Sequence, residues 1–145
     1  MERREFIKTT CAVCIGTMAL ASFIAACKSS KYISSFTEEN KKIVIKKSEF
    51  VIVKRGKEKQ LSHITLKPAG LQFPIAVYKT GNEYKALYTQ CTHQGCELTA
   101  YDAALVCPCH GAEFNTRGNV TQGPAETDLK TFATTHDNEN IYIQL

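Results

Sequence analysis

Short runs of β-branched and aromatic residues recur along the chain from residue 41 onward: Lys42–Ile45, Phe50–Lys54, Ile64–Lys67, Phe73–Lys79, Tyr84–Tyr88 and Ile141–Leu145. Each is short and rich in side chains that suit a pleated, half-buried surface, so each reads as a strand. Turn chemistry separates them at Lys67-Pro68-Ala69-Gly70, Thr80-Gly81-Asn82, Arg117-Gly118-Asn119 and Asp137-Asn138, where Gly, Pro, Asn and Asp accept tight backbone conformations. No stretch of this region sustains a helical period over three turns, and there are no internal repeats. Strands joined by short turns predict an all-β fold, an antiparallel sandwich or barrel.

The first thirty residues follow a different pattern. Arg3-Arg4-Glu5-Phe6-Ile7-Lys8 precedes an uncharged run from Thr9 to Cys27, the layout of an export signal. The arginine pair and the residues after it resemble a twin-arginine signal. The run ends Ile24-Ala25-Ala26-Cys27, which resembles a bacterial lipobox and implies a lipidated Cys27 holding the domain at a membrane. An uncleaved helical anchor is the alternative, because 19 uncharged residues are just long enough to span, although the run is rich in Thr, Ser, Ala and Gly; simple cleavage is the third reading. Ser29–Asn40 is polar without a clear apolar period and reads as a tether. The expected organisation is therefore 1–27 signal or anchor, 28–40 tether and 41–145 folded domain, exported across the bacterial cytoplasmic membrane and kept at its outer face.

Composition excludes more than it identifies. A formal charge of +4 with no Arg-rich patch gives no reason to expect nucleic acid as a partner. Charge position is more informative. From Lys41 to Lys67 there are nine Lys/Arg against Glu49 and Glu58, whereas from Pro68 onward there are four Lys/Arg against eight Asp/Glu. The acidic half is suited to steering a basic partner.

Seven cysteines are unusually many for 145 residues. Cys11-x-x-Cys14 lies inside the apolar run, outside any redox-domain context, and reads as two small apolar side chains. The other group is Cys91-Thr92-His93-Gln94-Gly95-Cys96 and Cys107-Pro108-Cys109-His110-Gly111-Ala112-Glu113-Phe114, that is C-x-H, 13 intervening residues, then C-x-x-H. Two Cys and two His are also a zinc set, but zinc sites usually pair Cys with Cys and His with His, and zinc gives no reason for Cys96 and Cys109. The two motifs closely resemble those of the Rieske family over about residues 84–132, and the β pattern resembles that family more loosely over the whole domain.

The resemblance implies one [2Fe–2S] cluster, with Cys91 and Cys107 binding one iron and His93 and His110 the other. Imidazoles in place of two thiolates raise the potential to about −150 to +300 mV, against about −400 mV for all-cysteine plant-type clusters. It also implies a Cys96–Cys109 disulfide joining the two loops, as in the family's high-potential branch, closing a loop of about 13 residues worth roughly 3 kcal/mol in the chain-entropy model. Gly95 and Gly111 are expected to let the backbone pass close to the cluster, Pro108 to stiffen the second loop, and Gly123-Pro124-Ala125 to match the family's proline loop. A twin-arginine route suits such a protein, since it carries chains already folded around a cofactor.

Three positions depart from the pattern. Ala112 and Phe114 stand where high-potential members have hydroxyl-bearing Ser and Tyr, and neither side chain can donate a hydrogen bond. That predicts a potential in the middle or lower part of the range, suited to a low-potential donor such as menaquinol. Gln94 replaces the Leu common in quinol-oxidising subunits, which argues against direct quinol docking. The interval of 13 residues is slightly short. The expected function is one-electron transfer in an exported, membrane-associated redox chain, with a cytochrome or a quinol-oxidising subunit as partner. The alternative is the small Rieske subunit of an exported molybdenum oxidase of the arsenite oxidase type. No catalytic residue set is expected in this chain itself, and His63 and His136 read as ordinary surface or edge residues.

Overall fold

The computed structural model describes residues 31–145. The expected signal, Cys27, Cys11 and Cys14 lie outside the described residues. Fourteen strands follow one another: β1 (Lys31–Ile33), β2 (Thr37–Glu39), β3 (Lys42–Lys46), β4 (Val51–Lys54), β5 (Lys57–Gln60), β6 (His63–Leu66), β7 (Ile75–Thr80), β8 (Glu83–Tyr88), β9 (Thr99–Ala100), β10 (Ala104–Val106), β11 (Glu113–Asn115), β12 (Val120–Gln122), β13 (Thr131–His136) and β14 (Asn140–Gln144). A single 3₁₀ turn, Lys47–Phe50, links β3 to β4. Among the described residues no helix is long and apolar enough to cross a membrane.

Eight strands form one curled sheet in the order β1-β6-β7-β8-β13-β14-β3-β2. Its two edges, β1 and β2, are separated by three residues in sequence, so the sheet nearly closes on itself, which shields edges that would otherwise be open to pairing. A second sheet, β12-β11-β10-β9, carries the cysteine motifs, and β4-β5 is a separate hairpin. All pairings in the large sheet are antiparallel except β1 with β6.

Two cores flank the middle of the large sheet. One holds Ile43, Ile45, Phe50, Ile64, Leu66, Ile141 and Ile143. Ile141 faces Ile45 and Ile143 faces Ile43 across β14 and β3, so these strands alternate buried and exposed side chains. The other core holds Leu98, Leu105, Phe114 and Leu129 with Cys91 and Cys107. Strand β7 serves both: Ile75 and Val77 enter the first core, Ala76 and Tyr78 the second. That two-sided burial explains why its sequence reads as a continuous apolar run. Each of these large side chains contributes about 1.5–3 kcal/mol on burial.

Residues 31–39 differ from the expected tether. Ile33 is buried in the first core, β1 and β2 are paired into the sheet, and the Lys31 ammonium meets the Glu49 carboxylate at 2.6 Å. One apolar anchor and backbone pairing suffice for a segment whose other side chains stay polar, as edge strands allow.

Candidate metal centre

The two cysteine motifs fold into loops of the same shape. In the first, the Gly95 N–H donates to the Cys91 carbonyl at 2.8 Å and the Cys91 N–H to the Cys96 carbonyl at 2.8 Å. In the second, the Gly111 N–H donates to the Cys107 carbonyl at 3.0 Å and the Cys107 N–H to the Ala112 carbonyl at 2.8 Å. Both loops reverse through a left-handed glycine, with φ of 74° at Gly95 and 76° at Gly111. A Cβ at Gly111 would meet no protein atom within 4 Å, and one at Gly95 only the Gln90 amide at 3.4 Å. Among the protein's own atoms, backbone conformation rather than crowding is what calls for glycine.

The loops project from β8 and from β10, and the disulfide Cys96–Cys109 ties them together, with Cα atoms 6.6 Å apart. A third segment braces both. The Thr92 hydroxyl donates to the Thr127 carbonyl at 2.7 Å, and the Gln122 amide donates to the Gly111 carbonyl at 2.9 Å. Gly123-Pro124-Ala125 lies between these two braces, with Ala125 buried in the second core and a cis peptide at Gly123–Pro124.

Cys91 and Cys107 come together as free, buried thiols, each only 2 % exposed. Burial pushes the Cys91 thiol up; the Cys107 thiol is also subject to burial, but the hydrogen bond from Cys91 and the backbone groups of Cys109 and His110 hold it below the ordinary range. Backbone N–H groups of His93 and Gln94 act likewise on the Cys91 sulfur. Each sulfur therefore faces amide dipoles fitted to a thiolate. The His93 and His110 rings stand edge to face with centroids 4.9 Å apart. His110 is exposed and His93 half-buried, and the Nδ1 of His93 is buried with no hydrogen-bond partner.

This donor set fits an iron–sulfur cluster. Two buried thiols that face backbone amides and two adjacent imidazoles, one with an unpartnered ring nitrogen, would supply two soft and two borderline ligands. Another trio, Cys96, Cys107 and Cys109, has its sulfur atoms within 4.8 Å of one another, but two of the three are consumed in the disulfide.

Beside His93 an open hollow of about 410 Å³ is bordered by Tyr88, Gln90, Thr92, Gln94, Thr127 and Lys130. Thr127 and Lys130 carry no sequence signal for this position, because the third segment reaches it only through folding. His63 also departs from its sequence reading. It is 1 % exposed, stacked on Tyr78 at 5.1 Å, with Nδ1 3.2 Å from the Ser62 hydroxyl and 3.7 Å from the Asp102 carboxylate. Because β6 lies inside the curled sheet, this position faces a core rather than solvent.

The family model for the Rieske [2Fe–2S] domain matches residues 30–133. The cytochrome b6-f complex iron-sulfur subunit of Prochlorococcus marinus (strain MIT 9303) is 36 % identical over 55 residues, covering 37 % of this chain and 31 % of that subunit. The corresponding subunit of Chlorobaculum thiosulfatiphilum is 32 % identical over 71 residues, covering 48 % of this chain and 39 % of that subunit. The chain thus spans about a third of the length of these curated relatives. Among solved structures, the plasma membrane Rieske protein of the cyanobacterium Synechocystis PCC 6803 aligns with a TM-score of 0.52 at 35 % identity, over 58 % of this chain and 87 % of that one. With paired cysteine–histidine loops joined by a disulfide on an all-β frame, and a family match over most of its length, the chain belongs to the Rieske [2Fe–2S] family and is a cluster-binding electron-transfer domain.

Proposed function

We propose that this chain is a one-electron carrier held at the outer face of a bacterial cytoplasmic membrane, with Cys91, Cys107, His93 and His110 as the cluster ligands. The cluster supplies one-electron redox chemistry. The chain's own residues fix where that chemistry is exposed. Cys91 and Cys107 would hold the cluster from the buried side, through sulfurs that face backbone amides, and the exposed His110 and half-buried His93 would hold it from the solvent side, where an imidazole can meet a partner and exchange a proton with it. The Cys96–Cys109 bridge and the Thr92 and Gln122 braces keep the two loops in register, which limits reorganisation when charge arrives.

The observation that carries the ligand assignment is that Cys91 and Cys107 are buried free thiols and that the buried His93 Nδ1 has no hydrogen-bond partner. Named relatives are cytochrome b6-f subunits and a plasma membrane protein, which supports a membrane setting and a cytochrome-type partner. The export signal and the lipid at Cys27 rest on residues 1–27. Electron paramagnetic resonance of the dithionite-reduced protein tests the ligand set. A rhombic Rieske-type signal is expected in the parent, and its loss in both His93→Ala and Cys107→Ala. Retention of the parent signal in either variant would remove that residue from the set.

A further inference from the structure

The chain enters its fold at the end of the sheet away from the cluster loops. Lys31 pairs with Ile64 in β6, and the neighbouring His63 pairs with Tyr78 in β7, whereas Leu66, Ile75 and Tyr88 lie at the opposite end of the same ladders, where β8 runs on to Cys91. The β4-β5 hairpin springs from the entry end. The Phe50 carbonyl at its root accepts from the Leu61 N–H at 2.7 Å and the Gln60 amide at 3.1 Å. The Phe50 ring packs on Tyr84 at 5.3 Å, at the start of β8. The Lys31–Glu49 ion pair fastens the entering chain to this root.

The hairpin's tip is basic. Lys54, Arg55, Lys57 and Lys59 border one open hollow. Arg55 and Gly56 form a two-residue turn, with Arg55 at φ 54°, a conformation that favours Asn or Gly. Beside them Val53 is 71 % exposed; it pairs across the hairpin with Glu58, on the face opposite the paired Lys54 and Lys57. Only three residues lie between Cys27 and Lys31, and the four steps reach at most about 14 Å. An uncharged run ending at Cys27 therefore leaves little slack between a membrane and this end of the fold.

We propose that the β4-β5 hairpin docks tip-first on an anionic phospholipid surface, Lys54, Arg55 and Lys57 meeting lipid phosphates while Val53 on the other face enters the interface. The domain then presents its cluster loops and their acidic surroundings away from the lipid, toward a water-soluble partner. This rests on the membrane reading given above. Each basic residue near an anionic leaflet is worth about fivefold in affinity, so replacing three weakens hairpin contact on the order of 100-fold.

The chain has no tryptophan, so Val53→Trp in the full-length protein is a single reporter, and Tyr101→Trp reports on the β9-β10 turn. Vesicles of phosphatidylcholine alone, or with about 30 % phosphatidylglycerol, and with brominated acyl chains serve as the surface. The expected result is a blue shift and bromine quenching of Val53→Trp on anionic vesicles, with Tyr101→Trp unmoved. Both effects should disappear in about 0.5 M NaCl and in the Lys54→Gln/Arg55→Gln/Lys57→Gln variant. A chain that sediments with anionic vesicles while Val53→Trp keeps its aqueous emission overturns the docking surface and leaves the membrane reading standing. A chain that does not sediment with them overturns both. A shift produced by poly-glutamate and not by vesicles overturns lipid docking in favour of an acidic protein partner.

Discussion

Ala112 and Phe114 sit at the root of the second cluster loop, both fully buried, and neither offers a side-chain donor. A hydrogen bond to a charged acceptor is worth about 1.5–3 kcal/mol, and a tenfold change in a one-electron equilibrium corresponds to about 59 mV. Restoring hydroxyls as Ala112→Ser and Phe114→Tyr should therefore raise the midpoint potential by some tens of millivolts, up to about 100 mV each. A redox titration followed by visible absorbance or paramagnetic resonance checks this, and an unchanged or lower midpoint would refute the hydroxyl argument. His63 allows a second prediction at this scale. Burial pushes its imidazole below the usual histidine range, partly offset by the Asp102 carboxylate. The unfolded chain binds this proton more readily than the folded one. The residue's contribution to stability is thus fully present above about pH 6.5 and is lost as pH falls toward the lowered folded value. His63→Phe keeps a ring against Tyr78 and removes the titration, so its melting temperature should fall less between about pH 7 and about pH 5 than that of the parent. Equal falls in the two proteins would mean that another group governs the acid limb. Nothing in the sequence around His63 announces its burial; that depends on β7 bringing Tyr78 alongside and on Asp102 arriving from the β9-β10 turn.

At the scale of elements, the cluster loops were legible and their supports were not. The C-x-H and C-x-x-H motifs, the bridging cysteines and the two glycines stand in local sequence, but the left-handed turn that calls for glycine at 95 and 111 appears only in the structure. The strands that carry the second loop, β9 to β12, have only two or three residues each, too short for any alternation to register. Strand β5, Lys57–Gln60, is exposed throughout and shows no apolar pattern; it is defined by pairing with β4. The Cys96–Cys109 bridge spans a sequence separation of 13, which in the chain-entropy model is worth about 3 kcal/mol. The Cys96→Ser/Cys109→Ser double variant should lose about that much stability in urea unfolding and should release its cluster faster, seen as decay of visible absorbance. Equal urea midpoints and equal decay rates would mean that the Thr92 and Gln122 braces alone hold the loops.

For the whole molecule, charge is distributed by region. Glu97, Glu126 and Asp128 are exposed on or beside the cluster-bearing loops, while the basic residues gather on β3 to β5. Electron exchange with a cationic oxidant should therefore slow as ionic strength rises, over the range where the Debye length shrinks from about 30 Å to about 10 Å. Stopped-flow rates with a cationic and an anionic cobalt complex would show opposite salt slopes, and parallel slopes would mean that the regional charge does not steer. The sequence by itself determined the all-β class and, through the resemblance that its two cysteine–histidine motifs carry, the family and the bridging pair which that resemblance implies, because these motifs rest on short-range spacing and on residue types with few alternative uses. Tertiary structure alone decided which polar segment joins the sheet, which histidine is buried, which side chains brace the loops and at which end of the sheet the chain enters. Those outcomes depend on pairings between residues far apart in sequence, where a single buried side chain such as Ile33 is enough to turn an apparent tether into an edge strand.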